Sequence, residues 1–202
     1  MAVTNDAELR TVYPSPAPRA AQKVLAHLDI HCRNFIALSP FCVLSSSDGN
    51  GQADASPRGD PPGFVKVLDD RTLLLPDRPG NNQVDSLQNI VENPGVGLLF
   101  FIPGMNETLR VKGRAEITTD PDLLEPLTVG GRPPLSGLKV TVEEAFLHCG
   151  RALIRGRLWD ADAQIERSSY PSYGQVLADQ IAGADAREID DDELEANRQR
   201  LY

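Results

Sequence analysis

Aromatic residues make up only 5% of the 202 residues, and the three cysteines, Cys32, Cys42 and Cys149, form no CxxC pair. A zinc ribbon and a thioredoxin-type redox pair are thereby excluded, and an odd, widely spaced set of thiols fits a reducing compartment. No apolar run approaches the roughly 20 residues of a transmembrane helix. The N-terminus, Met1 to Glu8, has neither the basic nor the apolar region of a secretory signal, so a cytoplasmic location with no membrane partner is expected. Basic residues are in the minority: Lys+Arg 20 against Asp+Glu 29 leave a formal net charge of -9. No nucleic-acid partner is expected, because binding a phosphate backbone needs a clustered basic surface. GxSxG, GxGxxG and Walker sequences are missing too, which removes the usual hydrolase and nucleotide-binding signatures.

What the chain does have is turns and alternation. Gly and Pro number 16 each, beside 41% hydrophobic and 24% charged residues, ordinary values for a globular protein. The length fits one domain over 1–202. Residues 1–19 read as irregular, with Pro14, Pro16 and Pro18 too close together for helix or sheet. From Ala20 the spacing of Val24, Leu28, Cys32 and Phe35, widened by Leu25 and Ile36, predicts a helix ending near Ser39-Pro40. Residues 1–40 are thus an N-terminal irregular segment and helix. A hairpin follows, Phe41 to Ser46 and Ala53 to Pro57, turned by Asp48-Gly49-Asn50-Gly51. Phe64 to Leu68 and Thr72 to Leu75 form a second hairpin. Val84, Leu87, Ile90 and Val91 mark a helix face that Asn93-Pro94-Gly95 stops. Val96 to Ile102 reads as a strand buried on both faces. Leu109, Val111, Gly113, Ala115 and Ile117 alternate with charged residues on a half-exposed strand. A short helix near Pro121–Leu124, a long strand from Leu138 to Leu147 and helices over Cys149 to Trp159 and Gln175 to Ile181 complete the chain. About six strands joined mostly by hairpins predict a mainly β fold with flanking helices, a small antiparallel barrel over 41–148. Residues 149–202 supply C-terminal helices and an acidic tail.

Two stretches carry candidate chemistry. Ala55-Ser56-Pro57-Arg58-Gly59-Asp60 ends a strand, and Asp77-Arg78-Pro79-Gly80-Asn81-Asn82 stands at the mouth of a helix. A helix N-terminus offers unpaired N–H groups and a dipole that favours an anion. Arg78 can add a charge-assisted contact, with Asn81, Asn82 and Ser86 as neutral donors, so the two stretches together form a phosphate cradle. The competing reading is that Asn81 or Asn82 caps the helix and Arg78 is a solvated turn residue. His27 and His31 are four apart on the expected helix, but no third ligand accompanies them and no metal is expected. His148 and Cys149 are adjacent on a strand and point apart, so they form no nucleophile–base pair.

The segment from about 41 to 118 resembles the FMN-binding split-barrel proteins related to pyridoxamine 5′-phosphate oxidase. The residues that carry the resemblance are Val43 to Gly51, Asp54-Ala55-Ser56-Pro57-Arg58-Gly59-Asp60, Leu73-Leu74-Leu75-Pro76-Asp77-Arg78, Glu92-Asn93-Pro94, Val96 to Phe100, and Glu107 to Ala115. The N-terminal helix and the His148 to Trp159 segment resemble an uncharacterised bacterial subgroup of that superfamily. The resemblance implies a six-stranded antiparallel split β-barrel and a homodimer with FMN at the interface. Ser56, Pro57, Arg58 and Gly59 would lie along the flavin, with Arg78, Gly80, Asn81 and Asn82 around its ring edge and phosphate. Thr108 and Arg110 would reach a flavin held mainly by the other subunit. The basic Ser-Arg-Lys turn of the oxidases is replaced by Asn81-Asn82-Gln83, and their C-terminal Arg-x-His is absent. Pyridoxamine phosphate is therefore not the expected substrate.

The expectation is an FMN-binding protein, a flavin-dependent oxidoreductase acting on an unidentified small molecule, with Arg58 or Lys66 as the cation beside the flavin N1–C2=O edge. The alternative is a non-catalytic flavin-binding or flavin-sensing homodimer; a third is a barrel without flavin that serves as a binding module. A deazaflavin in place of FMN stays open. Residues 185–195 hold seven acids against one base, a net of -6, so most of the acidity belongs to the tail.

Overall fold

A computed structural model describes residues 2–199, and the side chains of residues 2–196. Three helices open the chain: α1 (Asp6–Val12), α2 (Pro18–Gln22) and α3 (Ile30–Leu38). The irregular N-terminal segment therefore contains helix: Asn5 caps α1 by accepting from the Glu8 N–H, and Pro18 sits at the first position of α2. The single helix expected from Ala20 is broken in two. Leu25 exchanges main-chain hydrogen bonds with Ala145, the Leu28 N–H donates to Asp70 O, and the Asp29 side chain accepts from the Cys32 N–H to start α3 afresh. His27 lies in the break, so it and His31 do not share a helix face.

The sheet is built from β1 (Phe41–Ser47), β2 (Ala53–Gly59), β3 (Lys66–Val67), β4 (Thr72–Asp77), β5 (Gly95–Phe101), β6 (Thr108–Thr118) and β7 (Ser136–His148). Its order is β2-β1-β5-β6-β7-β4-β3, antiparallel throughout. The strands number seven rather than six, and they form an open sheet: β2 and β3 are its edges and do not pair. Pro57 and the Pro61-Pro62 pair remove donors along one edge, and β3 has only two residues to offer at the other.

The β1–β2 hairpin is the one expected, with the Asp48 carboxylate accepting from the Asn50 and Gln52 N–H groups and Gly51 at φ +83°. On the inner face Cys42, Leu44, Leu73, Leu75, Leu98, Phe100, Leu109, Val111 and Val140 are wholly buried, joined by Leu28 and Ile36 from the N-terminal segment. β5 is not buried on both faces. Val96, Leu98 and Phe100 point into the core, whereas Gly97, Leu99 and Phe101 are half-exposed, because the packed helices cover only the inner face. A bulge falls between Lys112 and Gly113, where any Cβ on Gly113 would collide with Thr141 O.

Helix α4 (Asp85–Glu92) crosses the β1–β2 hairpin. Asn89 Nδ2 donates to Ser46 Oγ (3.1 Å), Asn93 Nδ2 to Ser47 Oγ (2.8 Å), and the Gly49 N–H to Glu92 Oε2 (3.0 Å). Its buried face is Ser86 and Ile90 with Leu87 beside them; Val91, assigned to that face by spacing, is 76% exposed. Beyond β6 lies α5 (Pro121–Leu124), where it was expected. Beyond β7, α6 (Arg151–Gly156) is shorter than the expected Cys149–Trp159 helix, since Arg157 turns left-handed at φ 50° and pairs with Asp160 and Asp162. Trp159 Nε1–H anchors the segment on Met105 O (2.7 Å). The acidic tail is helical: α8 (Ala186–Gln199) packs on α7 (Tyr173–Gln180), with the Gly174 N–H donating to Asp190 Oδ1 at 2.7 Å.

Candidate functional site

A cleft of about 420 Å³ opens between the edge strand β2, the end of β4 and the start of α4. Register places Asp54, Ser56 and Arg58 of β2 opposite Ser46, Leu44 and Cys42, on the inner face but beyond the packed core. Ser56, Pro57, Arg58, Gly59, Arg78, Gly80, Asn81, Asn82 and Ser86 all line the cleft. Two stretches twenty residues apart in sequence therefore converge. Thr108 and Arg110 do not join them: they lie on β6, opposite His148 and Phe146.

Arg58 Nη1 hydrogen-bonds Ser56 Oγ and donates to Pro57 O (2.9 Å), which folds its guanidinium along its own strand. Arg78 is neither solvated nor uncommitted. Its Nε donates to Asp60 Oδ2 at 2.7 Å and its Nη2 to Leu127 O at 2.9 Å, and the Asp60 side chain is only 1% exposed. This pair joins the loop after β2 to the loop after β4, at the open side of the sheet. Breaking a buried pair by removing one partner strands a charge, so it acts as a fixed clamp.

Neither asparagine caps α4. The N-cap is Val84, at φ 49° and without a side-chain acceptor, and Asn82 is also left-handed at φ 60°. Asn81 folds onto Gln83, accepting from its N–H (3.0 Å) and donating to its Oε1 (2.9 Å). A β-branched residue in the left-handed region is costly, and such strain is found where a loop must hold one shape. The first-turn N–H groups are thus left without a side-chain cap.

Carboxylates in the wall carried no assigned role in the sequence reading. Asp54 accepts from Ser86 Oγ–H at 2.8 Å, the contact that fixes Ser86. Asp77 is half-buried, and its carboxylate holds no hydrogen bond among the described residues. Burial raises its carboxyl above the usual aspartate value, with the nearby Arg58 pulling the other way. Asp85 completes the set, and Leu135, from the loop before β7, adds an exposed apolar lip. Asp54 and Asp77 sat within the quoted motifs; nothing in the sequence pointed to Val84 or Leu135.

Lys66 falls outside the cleft. Its Nζ donates to Gly63 O (3.0 Å) beside a smaller hollow of about 120 Å³. Among the described residues no histidine or cysteine lines the cleft, and no group of three or more metal-ligating side chains forms. Burial pushes the Cys42 thiol up to about 12 and the Cys32 thiol up to about 11, so neither supplies a thiolate at neutral pH. Ser56 has an arginine beside it, not a base, so the wall supplies no nucleophile–base pair. The cleft has the volume of an ordinary small-molecule pocket.

The edge of β2 leaves one side of its main chain unpaired for the polar rim of a planar ring, and the uncapped start of α4 can receive an anionic end. These donors fit a flavin. A mainly antiparallel sheet with flanking helices and one such cleft at its open edge defines the class of protein. Within that class the chain belongs to the pyridoxamine 5′-phosphate oxidase family, whose model matches residues 28–149. No curated protein matches the chain. Among solved structures it is similar to a HupZ variant from Group A Streptococcus, with TM-score 0.50 and 18% identity over 60% of this chain and 99% of that one. A putative pyridoxamine 5′-phosphate oxidase from Lactobacillus delbrueckii has TM-score 0.47 and 20% identity, over 60% and 95% of the two chains. An FMN-binding protein from Syntrophomonas wolfei has TM-score 0.47 and 12% identity, over 58% and 83%. Among the described residues no helix is long and apolar enough to cross a membrane.

Proposed function

We propose that the cleft binds FMN and that the protein is a cytoplasmic, flavin-dependent oxidoreductase acting on an unidentified small molecule. The observation that carries this reading is the convergence of Ser56–Gly59 and Arg78–Asn82 on one ligand-sized cleft at the sheet edge, beside an uncapped helix start. The open sheet is read as a six-stranded split barrel with one added two-residue strand, its gap bridged by the Asp60–Arg78 pair instead of by strand pairing. FMN, when bound, supplies hydride acceptance and return. The chain's own residues bind and orient it. The β2 edge meets the ring, Arg58 supplies positive charge, Ser86 and the α4 start face the phosphate, and Asp77 is the acid in the wall placed to hold or release a proton.

We infer a homodimer from the uncovered outer face. Phe41 and Phe101 lie opposite each other with ring centroids 6.0 Å apart, beside Val43 and Leu99, and all four are at least partly exposed. An apolar sheet face of this kind is a surface for a second copy, and Thr108 and Arg110 lie on the strand next to it. A deazaflavin satisfies the same ring contacts. The non-catalytic flavin-sensing reading is favoured by one feature, the absence of any histidine or thiol from the cleft wall. The visible spectrum of the purified protein and its titration with FMN test binding, and reduction by NADH or NADPH followed by reoxidation separates the two readings. Bound FMN that no nicotinamide donor reduces favours the sensing dimer; no FMN uptake overturns both.

A further inference from the structure

We propose that the outer face of β6 and β7 carries an oxyanion site formed by Lys23, Arg110 and His148 around the ring of Phe146. Arg110 and Phe146 are direct cross-strand partners, and Phe146 and His148 share a face two residues apart. The Arg110 guanidinium lies 5.8 Å from the Phe146 ring centroid and Lys23 Nζ 5.0 Å from it, while the His148 ring stands 4.8 Å from the Phe146 ring. Arg110 is half-buried, yet its guanidinium makes no hydrogen bond or ion pair among the described residues. Lys23 Nζ spends one donor, on Leu147 O at 2.7 Å. The neighbouring pair on this face, Lys112 and Glu144, is already closed at 3.0 Å, so Glu144 serves Lys112. Among the described residues no carboxylate is paired with either Lys23 or Arg110.

Two cations without a counterion are thus held together on a protein of net charge -9. The Arg110 donors are open to solvent rather than buried unpaired, so they are available to an acceptor, and a planar fork of donors matches a phosphate or a carboxylate. Burial, with Lys23 and Arg110 nearby, lowers the His148 pKa from the ordinary histidine value, and an anion held beside the two cations offsets part of that lowering.

Register also sets the distance from the cleft. Pro57, Val43, Leu99, Arg110 and Phe146 form one row across five strands, so Arg110 stands three strand spacings, roughly 14 Å, from the cleft edge. The oxyanion is therefore a free small anion or, if the dimeric flavin reading holds, the phosphate of a flavin seated in the partner subunit.

The test follows the His148 ring signal by NMR against pH, in the full chain, with sodium phosphate or sodium acetate and with sodium chloride at matched ionic strength. Three histidines make assignment direct with H148A. Phosphate or acetate raises the His148 pKa saturably, by about one unit, equivalent to a tenfold preference for the protonated ring. R110A and K23A reduce the response, R110K keeps part of it, and K139A, whose lysine pairs with Glu116 elsewhere, leaves it unchanged. FMN acting where riboflavin does not identifies the flavin phosphate as the occupant. A response to phosphate in a protein that takes up no FMN leaves this site standing while the flavin reading fails. No saturable response to phosphate, acetate or FMN, or an undiminished one in the K23A/R110A double variant, overturns the proposal.

Discussion

In the cleft, Asp54, Asp77 and Asp85 face Arg58 and an Arg78 whose charge is already met by buried Asp60. On the outer face of β6 and β7 the balance is reversed: among the described residues Lys23 and Arg110 pair with no carboxylate, and Glu144 on the same face is closed on Lys112. Both regions gather charged side chains at the rim of the same sheet, but they meet a ligand differently. The cleft offers a shaped wall and hydrogen-bond partners that suit a planar polar ring. Its spare positive charge is essentially Arg58. The outer face offers charge and little concavity. A ligand with a flat ring and an anionic tail is thus served by the two kinds of surface together better than by either alone, which is why the dimer matters to this account.

The largest effect expected concerns the clamp. Asp60→Ala strands Arg78, and urea unfolding should show a stability loss of about 3 kcal/mol. A loss below about 1 kcal/mol would mean that the pair is a surface contact and the sheet edge is held otherwise. Next comes the charge balance within the cleft. Arg58→Ala should weaken FMN and riboflavin alike, by about 2 kcal/mol or on the order of thirtyfold in Kd, because Arg58 stands on the strand that meets the ring. Arg78→Ala should weaken the two ligands alike, because its charge is spent on Asp60. A selective FMN loss in the Arg78 variant would return the phosphate to the clamp. Ser86→Ala removes the donor to Asp54 and should cost about 1 kcal/mol of stability, read by the same unfolding curves.

The smallest effect is a pH dependence. The Asp77 pKa is raised in the folded state, so the folded protein holds that proton more tightly than the unfolded chain does. Stability contributed at this position is present in acid and falls as pH rises from the ordinary aspartate value through the raised one. Asp77→Asn should therefore raise the melting temperature slightly at neutral pH and leave it unchanged in acid. The opposite ordering would show that Asp77 has an unrecognised cationic partner.

The sequence made much of this legible where the signal was local. Asp48-Gly49-Asn50-Gly51 set the first hairpin, and the alternation from Leu109 to Ile117 assigned the inner face of β6. The cleft stretches were found because a hydroxyl, two arginines and a run of turn residues flank a strand end and a helix start. What failed depended on distant partners. The break between α2 and α3 follows from Leu25 pairing with Ala145, and no spacing rule sees that bond. The half-exposed face of β5 is as apolar as a buried one, since Leu99 and Phe101 read alike in either setting. Arg78 looked like a phosphate ligand because Asp60, eighteen residues earlier, gives no sign in sequence that it folds back. The acidic tail read as a tail because the packing of its helix on α7, including the Gly174–Asp190 hydrogen bond, leaves no local pattern in the sequence.

The central claim is that the cleft holds a flavin, and the most direct measurement is titration of the full purified chain with FMN, followed by flavin fluorescence and absorbance. Saturable uptake of one FMN per chain, weakened by Arg58→Ala, is the expected result. Unchanged flavin emission at every protein concentration, in a chain shown to be folded, would contradict it.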